Sequence, residues 1–327
     1  MTLATVKSIA ALVLALFVLT PKAPAQTAAN AGEKIILDTD IGDDIDDAFA
    51  LALLLHSPRV QLLGITTAWG DTDLRARLVE RFLQDTGHAG IPVAAGPATK
   101  STNNFSQRRY AEGGAPQHWP DAADFILDQI RRYPGEITLI SIAPFTTVAA
   151  AIHKDPATFR RLRSVVIMGG SIHRGYGDLG YLPDHGPQPE YNVYSDVAAS
   201  QALFNAGVPI TMMPLDSTQL KLDEVLRTVL FSQGTRTTDA LTLLYQQWAA
   251  ATGNVTPTLF DAMATAYVLD PSLCPTQAMH IRIDDRGNTI AEPGVPYANV
   301  CLNSDSDRFF HFYFRTVLGT ESTGSAH

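Results

Sequence analysis

From Lys34 to Met213 the chain alternates short, apolar, β-rich runs with segments of helical periodicity, and this alternation constrains the fold more than any other feature. Lys34 to Thr39 (KIILDT) reads as a strand, Asp46 to His56 as a helix and Val60 to Thr67 as a second strand, which is a βαβ opening. Further helices are expected near Thr72 to Thr86, Asp121 to Tyr133, Thr146 to Lys154 and Asp196 to Asn205. Strands are expected at Ile137 to Ile142, Val165 to Met168 and Val208 to Met213. Strands separated by helices in this way give an α/β fold whose mostly parallel central sheet is covered by helices on both faces. Such sheets bind ligands at the carboxyl ends of their strands, where the crossovers diverge. After Met213, helical segments at Leu222 to Phe231, Thr238 to Ala251 and Asp261 to Leu269 precede strand-like pieces at Ala278 to Ile283 and Ala298 to Leu302. Two turn-rich stretches, Gly96 to Pro120 and Gly169 to Pro189, have the length of binding loops.

Charge and the amino terminus narrow the class of partner. The 327 residues carry 33 acids against 24 Lys and Arg, so no broad basic face exists to neutralise a phosphate backbone, and nucleic acid is not an expected partner. Lys7, the apolar run Ile9 to Leu19 and Ala23-Pro24-Ala25 read as a secretory leader cleaved after Ala25, too short in its apolar part to anchor the chain in a membrane. The expected organisation is therefore a leader at 1–25, a short tail at 26–33, one catalytic domain at 34–320 and a C-terminal tail at 321–327. Export to the periplasm or beyond permits a bridge between the two cysteines, Cys274 and Cys301, although spacing alone fits two buried thiols equally well.

The most informative segment comes directly after the first strand. Asp38, Asp40, Asp43, Asp44, Asp46 and Asp47 crowd into ten positions where an apolar strand becomes a helix. Such mutual repulsion calls for a counter-charge, and a divalent cation with oxygen ligands supplies it. Calcium takes about 6–8 oxygens in flexible geometry, whereas zinc favours His or Cys.

Asp38-Thr39-Asp40-Ile41-Gly42 followed by Asp46-Asp47-Ala48-Phe49-Ala50-Leu51 resembles the amino-terminal signature of the inosine-uridine preferring nucleoside hydrolases. The similarity continues in order through Gly64 to Asp71, Pro92 to Gly96, Ile137 to Ala149, Val166 to Gly170, Glu190-Tyr191-Asn192 and Asp261 to Pro271, covering roughly residues 34 to 275. The resemblance implies a nucleoside hydrolase-like (Rossmann-like) fold. It also implies calcium-dependent cleavage of ribonucleosides to free base and ribose, and a dimer or tetramer. Its calcium ligands fall here on Asp40, Asp47, the backbone carbonyl of Thr146, and Asp261. Its ribose contacts fall on Asp46, Asp71, Glu190 and Asn192, and Asp40 takes the proton of the attacking water. Carboxylates near the sugar suit this chemistry, because breaking an N-glycosidic bond builds positive charge on the ribose ring.

Three departures from the family pattern stand out. Two extra residues come after Gly42, so Asp43-Asp44 competes with Asp46-Asp47 for the metal, and the adjoining Ala-Phe-Ala-Leu favours the latter pair. Asp71 replaces a common Asn, as in the purine-preferring branch. Phe260 stands where a His often precedes the late Asp, so no acid for the departing base is assigned; Phe260 either stacks on a purine, together with an aromatic from a binding loop, or packs in the core. Trp69 is open to the same two readings, and His118, His173 and His185 in the long loops are expected to be solvated. Two rivals share the acidic strand end. A haloacid-dehalogenase-type phosphatase wants Thr or Val where Gly42 stands, and a secreted calcium- or sugar-binding protein would keep the ligands without turnover.

Overall fold

The computed structural model describes residues 32–101, 103–179 and 185–319. The expected leader, residues 26–31 of the tail and the C-terminal tail lie outside them. In chain order the strands are β1 (Glu33–Thr39), β2 (Val60–Thr67), β3 (Val93–Ala95), β4 (Ile137–Ser141), β5 (Ser164–Met168), β6 (Ile210–Met213), β7 (Thr276–Met279), β8 (Ile281–Ile283), β9 (Thr289–Ala291) and β10 (Ala298–Cys301). The helices of the first half are α1 (Asp46–Leu55), α2 (Thr72–Asp85), α3 (Arg108–Glu112), α4 (Ala122–Arg132), α5 (Thr146–Lys154) and α6 (Pro156–Phe159). Those of the second half are α7 (Tyr191–Tyr194), α8 (Val197–Phe204), α9 (Leu215–Thr218), α10 (Glu224–Phe231), α11 (Arg236–Thr252), α12 (Ala262–Leu269) and α13 (Ser306–Val317).

Eight strands form one sheet in the order β3-β2-β1-β4-β5-β6-β10-β7, parallel throughout except for the final pair. The α/β architecture read from the sequence is thus the observed one. Successive side chains of a strand point to opposite faces. In β1, Ile35 and Leu37 enter the core formed with α1, α2, α11, α12 and α13, while Ile36 enters the core on the side of α4, α5 and α8. Burial on both faces is why these strands are apolar without alternation. From β1 the chain runs outward to β2 and β3, then returns to the other side of β1 with β4. The crossovers diverge there, and a crevice opens at the carboxyl ends of β1 and β4.

Three features differ from the sequence expectation. The stretch Ala278 to Ile283 is two strands: β7 ends at Met279 on the sheet edge, and β8 pairs with β9 in a separate antiparallel ribbon that buries Ile281 and Ile283. The first long loop carries a short helix, α3, and the second leads into another, α7. Helix α13, beyond the last segment read from the sequence, buries Phe309, Phe310, Tyr313 and Val317 at helical spacing, and its Tyr313 hydroxyl donates to the Phe49 carbonyl of α1 at 3.1 Å.

Asp38 fastens the centre of the sheet. Its carboxylate accepts from Thr66 Oγ1 on β2 at 2.7 Å and from Ser141 Oγ on β4 at 3.2 Å, the residues directly opposite it in both neighbouring strands. Burial pushes this carboxyl up to about 7, against the pull of the two hydroxyls. Cys274 and Cys301 are bridged, with Cα atoms 5.6 Å apart, which decides between the two readings left open by spacing. The bridge ties the segment after α12 to the end of β10.

These contacts set the response of the fold to reductant and to pH. A chain crosslinked across 27 positions loses loop-closure entropy when unfolded, so reduction, or the Cys274→Ser/Cys301→Ser double variant, should lower stability by about 3 kcal/mol. Urea midpoints of the oxidised and reduced protein measure this. The folded state holds the Asp38 proton up to about pH 7 while the unfolded chain releases it near the ordinary carboxylate value. Its contribution is therefore fully present below that value and is lost as pH rises through 7. Asp38→Asn should flatten the fall of stability between pH 4 and 8 by on the order of 4 kcal/mol. An unchanged pH–stability curve would contradict this.

Candidate active site

The first strand delivers the site through the geometry of three consecutive residues. Asp38 points into the sheet, Thr39 donates from its hydroxyl to the Asp47 carboxylate, and Asp40 lines a cavity of about 250 Å³. Gly42 then turns the chain at φ +125°, where the Phe105 ring lies so close that a Cβ would stand 2.3 Å from it. Both facts require glycine. Gln107 donates its backbone N–H to the Gly42 carbonyl at 3.1 Å and Ser106 its hydroxyl to the Asp43 carbonyl at 2.7 Å, so the loop after β3 is fastened over the aspartate turn.

Asp46 and Asp47 open α1, and Asp261 immediately precedes α12. Carboxylates are favoured at helix N-termini, and here two such termini face each other. One carboxylate oxygen from each of the three residues lies within 4.8 Å of the others, all three residues are buried, and the Asp261 N–H donates to Asp46 Oδ2 at 3.2 Å. Asp43 instead pairs with Arg75 at 2.9 Å, and the Asp44 carboxylate accepts from the Ile45 N–H at 2.7 Å. Asp43 and Asp44 line the same cavity, but it is Asp46-Asp47 that stands with the late aspartate. Among the described residues Arg75 is the one cation of the Lys/Arg type that is fully buried. It donates to the carbonyls of Asp40, Ile41 and Trp69 as well as to Asp43.

Burial holds the carboxyls of Asp40, Asp46, Asp47 and Asp261 well above the usual range, and repulsion among them adds to it. For Asp40 and Asp47 the Arg75 charge works in the opposite direction. A set of buried carboxylate oxygens without His or Cys has the chemistry of a site for a hard divalent cation, which would let all of them ionise.

Other strands complete the wall. Glu190 and Asn192, in the segment after β5, line the same cavity. Glu190 accepts from the backbone N–H groups of Gly170, Asn192 and Val193, while burial pushes its carboxyl up to about 7. The Asn192 side-chain amide donates to the Met168 carbonyl at 3.1 Å, which fixes it at the end of β5. Phe260 lines the cavity in edge-to-face contact with Tyr176, ring centres 5.9 Å apart, so the aromatic partner comes from the loop after β5.

Of the residues singled out in the sequence, Asp40, Asp43, Asp44, Asp46, Asp47, Asp261, Glu190, Asn192 and Phe260 are brought together around one cavity. Thr146 is buried at the start of α5 and is not part of the cavity lining. Asp71 is exposed, caps α2 by accepting from the Leu74 N–H at 3.0 Å, and is not in the lining either. An Asp just before a helix is a natural N-cap, and that is the role the structure gives it. His118, His173 and His185 are exposed and line no part of this cavity. Sequence reasoning passed over Asn103, Tyr176 and Tyr191 as individual wall residues; the only sign of the first two was their position in the two long loops.

Comparisons with known proteins agree with this geometry. The profile of the inosine-uridine preferring nucleoside hydrolases matches residues 35–311. A protein of Leishmania major described as an inosine-uridine preferring nucleoside hydrolase is 31% identical over 314 residues, covering 85% of this chain and 95% of its own. An uncharacterized protein of Schizosaccharomyces pombe is 36% identical over 200 residues, spanning 57% of this chain and 62% of that protein. The solved structure of a purine-preferring ribonucleoside hydrolase from Gardnerella vaginalis superposes with a TM-score of 0.72 at 25% identity, covering 87% of this chain and 98% of that one. With its doubly wound sheet, its acidic crevice and a profile match over most of its length, the chain belongs to the inosine-uridine preferring nucleoside hydrolase family.

Proposed function

We propose that this chain hydrolyses the N-glycosidic bond of ribonucleosides in a calcium-dependent reaction, releasing free base and ribose, with a preference for purines. Family membership makes it a ribonucleoside N-glycosyl hydrolase. The observation that carries the finer reading is the meeting, in one cavity, of the buried Asp46-Asp47-Asp261 group with Glu190, Asn192 and an aromatic wall.

Asp40, Asp47, Asp261 and the Thr146 carbonyl are the assigned ligands, with Asp46 beside them. Calcium held there supplies a Lewis acid that acidifies water and gathers ribose hydroxyls. Asp40 takes the proton from the attacking water, since its carboxylate reaches the cavity while its own backbone carbonyl is held by Arg75. Asp46, Glu190 and Asn192 hold the pentose hydroxyls and so fix the anomeric carbon for attack. The surrounding carboxylates stabilise the positive charge that spreads over the ring as the bond to the base breaks.

The Tyr176–Phe260 pair supports a purine preference, because a bicyclic base covers more of such a wall. The amino-terminal leader and the Cys274–Cys301 bridge both support export to an oxidising compartment and a role in scavenging nucleosides there.

Ribose release from inosine, adenosine, guanosine, uridine and cytidine, with and without a chelator, tests this reading. Activity should vanish on chelation, return with calcium and be highest on purines, while p-nitrophenyl phosphate is not cleaved. Asp40→Asn should cost on the order of a thousandfold in kcat with an unchanged fold. Chelator-resistant turnover would remove calcium from the mechanism, and an active Asp40→Asn protein would remove Asp40 as the base.

A further inference from the structure

Hydrolysis by these residues leaves the departing base without a proton donor, because Phe260 precedes Asp261 and the three loop histidines stand outside the cavity. One cavity residue has the hydrogen-bond arrangement such a donor needs. The Tyr191 hydroxyl accepts from the Trp69 indole N–H at 2.8 Å and from the Asn103 side-chain amide nitrogen at 2.7 Å. Both partners present only N–H groups at those atoms, so they occupy the lone pairs of the phenol oxygen and leave its proton to be given away. The Ser101 hydroxyl also lies beside this phenol and, like the indole, favours its phenolate form.

The backbone is arranged to keep this contact. Trp69 has φ +63°, and among the described residues it is the one non-glycine with a positive φ. A bulky side chain is strained there. Arg75 holds the strained unit in place by donating from Nε to the Trp69 carbonyl at 2.7 Å, and the outcome is an indole N–H aimed at Tyr191.

We infer that Tyr191 is the catalytic acid for the departing base, with Trp69 and Asn103 as positioning residues that stabilise its conjugate phenolate. The inference rests on the nucleoside hydrolase reading and deepens it. As the C1′–N bond breaks, its electron pair passes to the base, and the Tyr191 proton moves to a ring nitrogen of that base. Asp40 holds the proton released by the attacking water, and this proton returns to the phenolate through solvent. The sum is nucleoside plus water to ribose plus neutral base. Burial, with the Asp40 and Asp43 charges, pushes the phenol up to about 12, so it carries its proton before the reaction begins.

The test compares leaving groups. Inosine and uridine need a proton to depart, whereas p-nitrophenyl β-D-ribofuranoside releases an anion that is stable without one. Tyr191→Phe, which keeps the ring, should slow the nucleosides about a hundredfold and the nitrophenyl riboside less than about fivefold. Asn103→Leu, on an exposed loop, should shift the same ratio in the same direction by a smaller factor, and it keeps the question answerable if Tyr191→Phe folds poorly. Equal losses on all three substrates would make Tyr191 a packing residue and overturn the inference, as would no loss at all. A wild-type protein inactive on all three substrates would instead bring down the hydrolase reading, and this inference with it.

Discussion

Everything in this structure turns on the repulsion among carboxylates packed at the end of the first strand. Six aspartates in ten positions would splay into water if left to themselves, yet four of them are buried. Three local devices hold them in. Asp38 is bonded by hydroxyls from both neighbouring strands, Thr39 donates to Asp47, and the guanidinium of Arg75 threads under the turn to bind its carbonyls and Asp43. The helix N-termini of α1 and α12 bring further positive potential. What these devices leave uncompensated is the charge that a hard cation completes.

The topology explains why so many chain segments reach one small volume. Because β1 lies between β2 and β4, its carboxyl end is flanked by the loops of two diverging windings. Asp40 comes from the end of β1, Asn103 from the loop after β3, and Ile142 from the end of β4. Met168 closes β5, and Tyr176, Glu190 and Tyr191 lie on the connection between β5 and α8. The late aspartate arrives with α12, packed against α1 in the same core, so residues more than two hundred positions apart hydrogen-bond directly.

Much of this was legible in the sequence, and the boundary of legibility has a physical cause. The strands and the helices between them arise from local hydrophobic patterning, and the acidic motif from its spacing, because both depend on neighbours along the chain. The choice of Asp46-Asp47 over Asp43-Asp44 could be argued from the adjoining Ala-Phe-Ala-Leu. The pairing of Asp43 with Arg75, by contrast, depends on a contact across 32 positions that no local pattern encodes. Motif position places Asp71 against the ribose, and its immediate neighbours also make it the cap of α2. Tyr176, Tyr191 and Asn103 reach the cavity only through the paths of loops, and the break of the late strand near His280 depends on which partner each half finds.

The loop running from Asn103 to Gln107 has two tasks at once. Through Phe105, Ser106 and Gln107 it grips the turn that presents the aspartates, and through Asn103 it reaches Tyr191 on the opposite wall. A change in that segment is therefore felt on both sides of the crevice, at the aspartate turn and at the aromatic wall. On the proposed mechanism, selectivity and ion affinity would be mechanically geared together, and descendants of this sequence would have to change both in step.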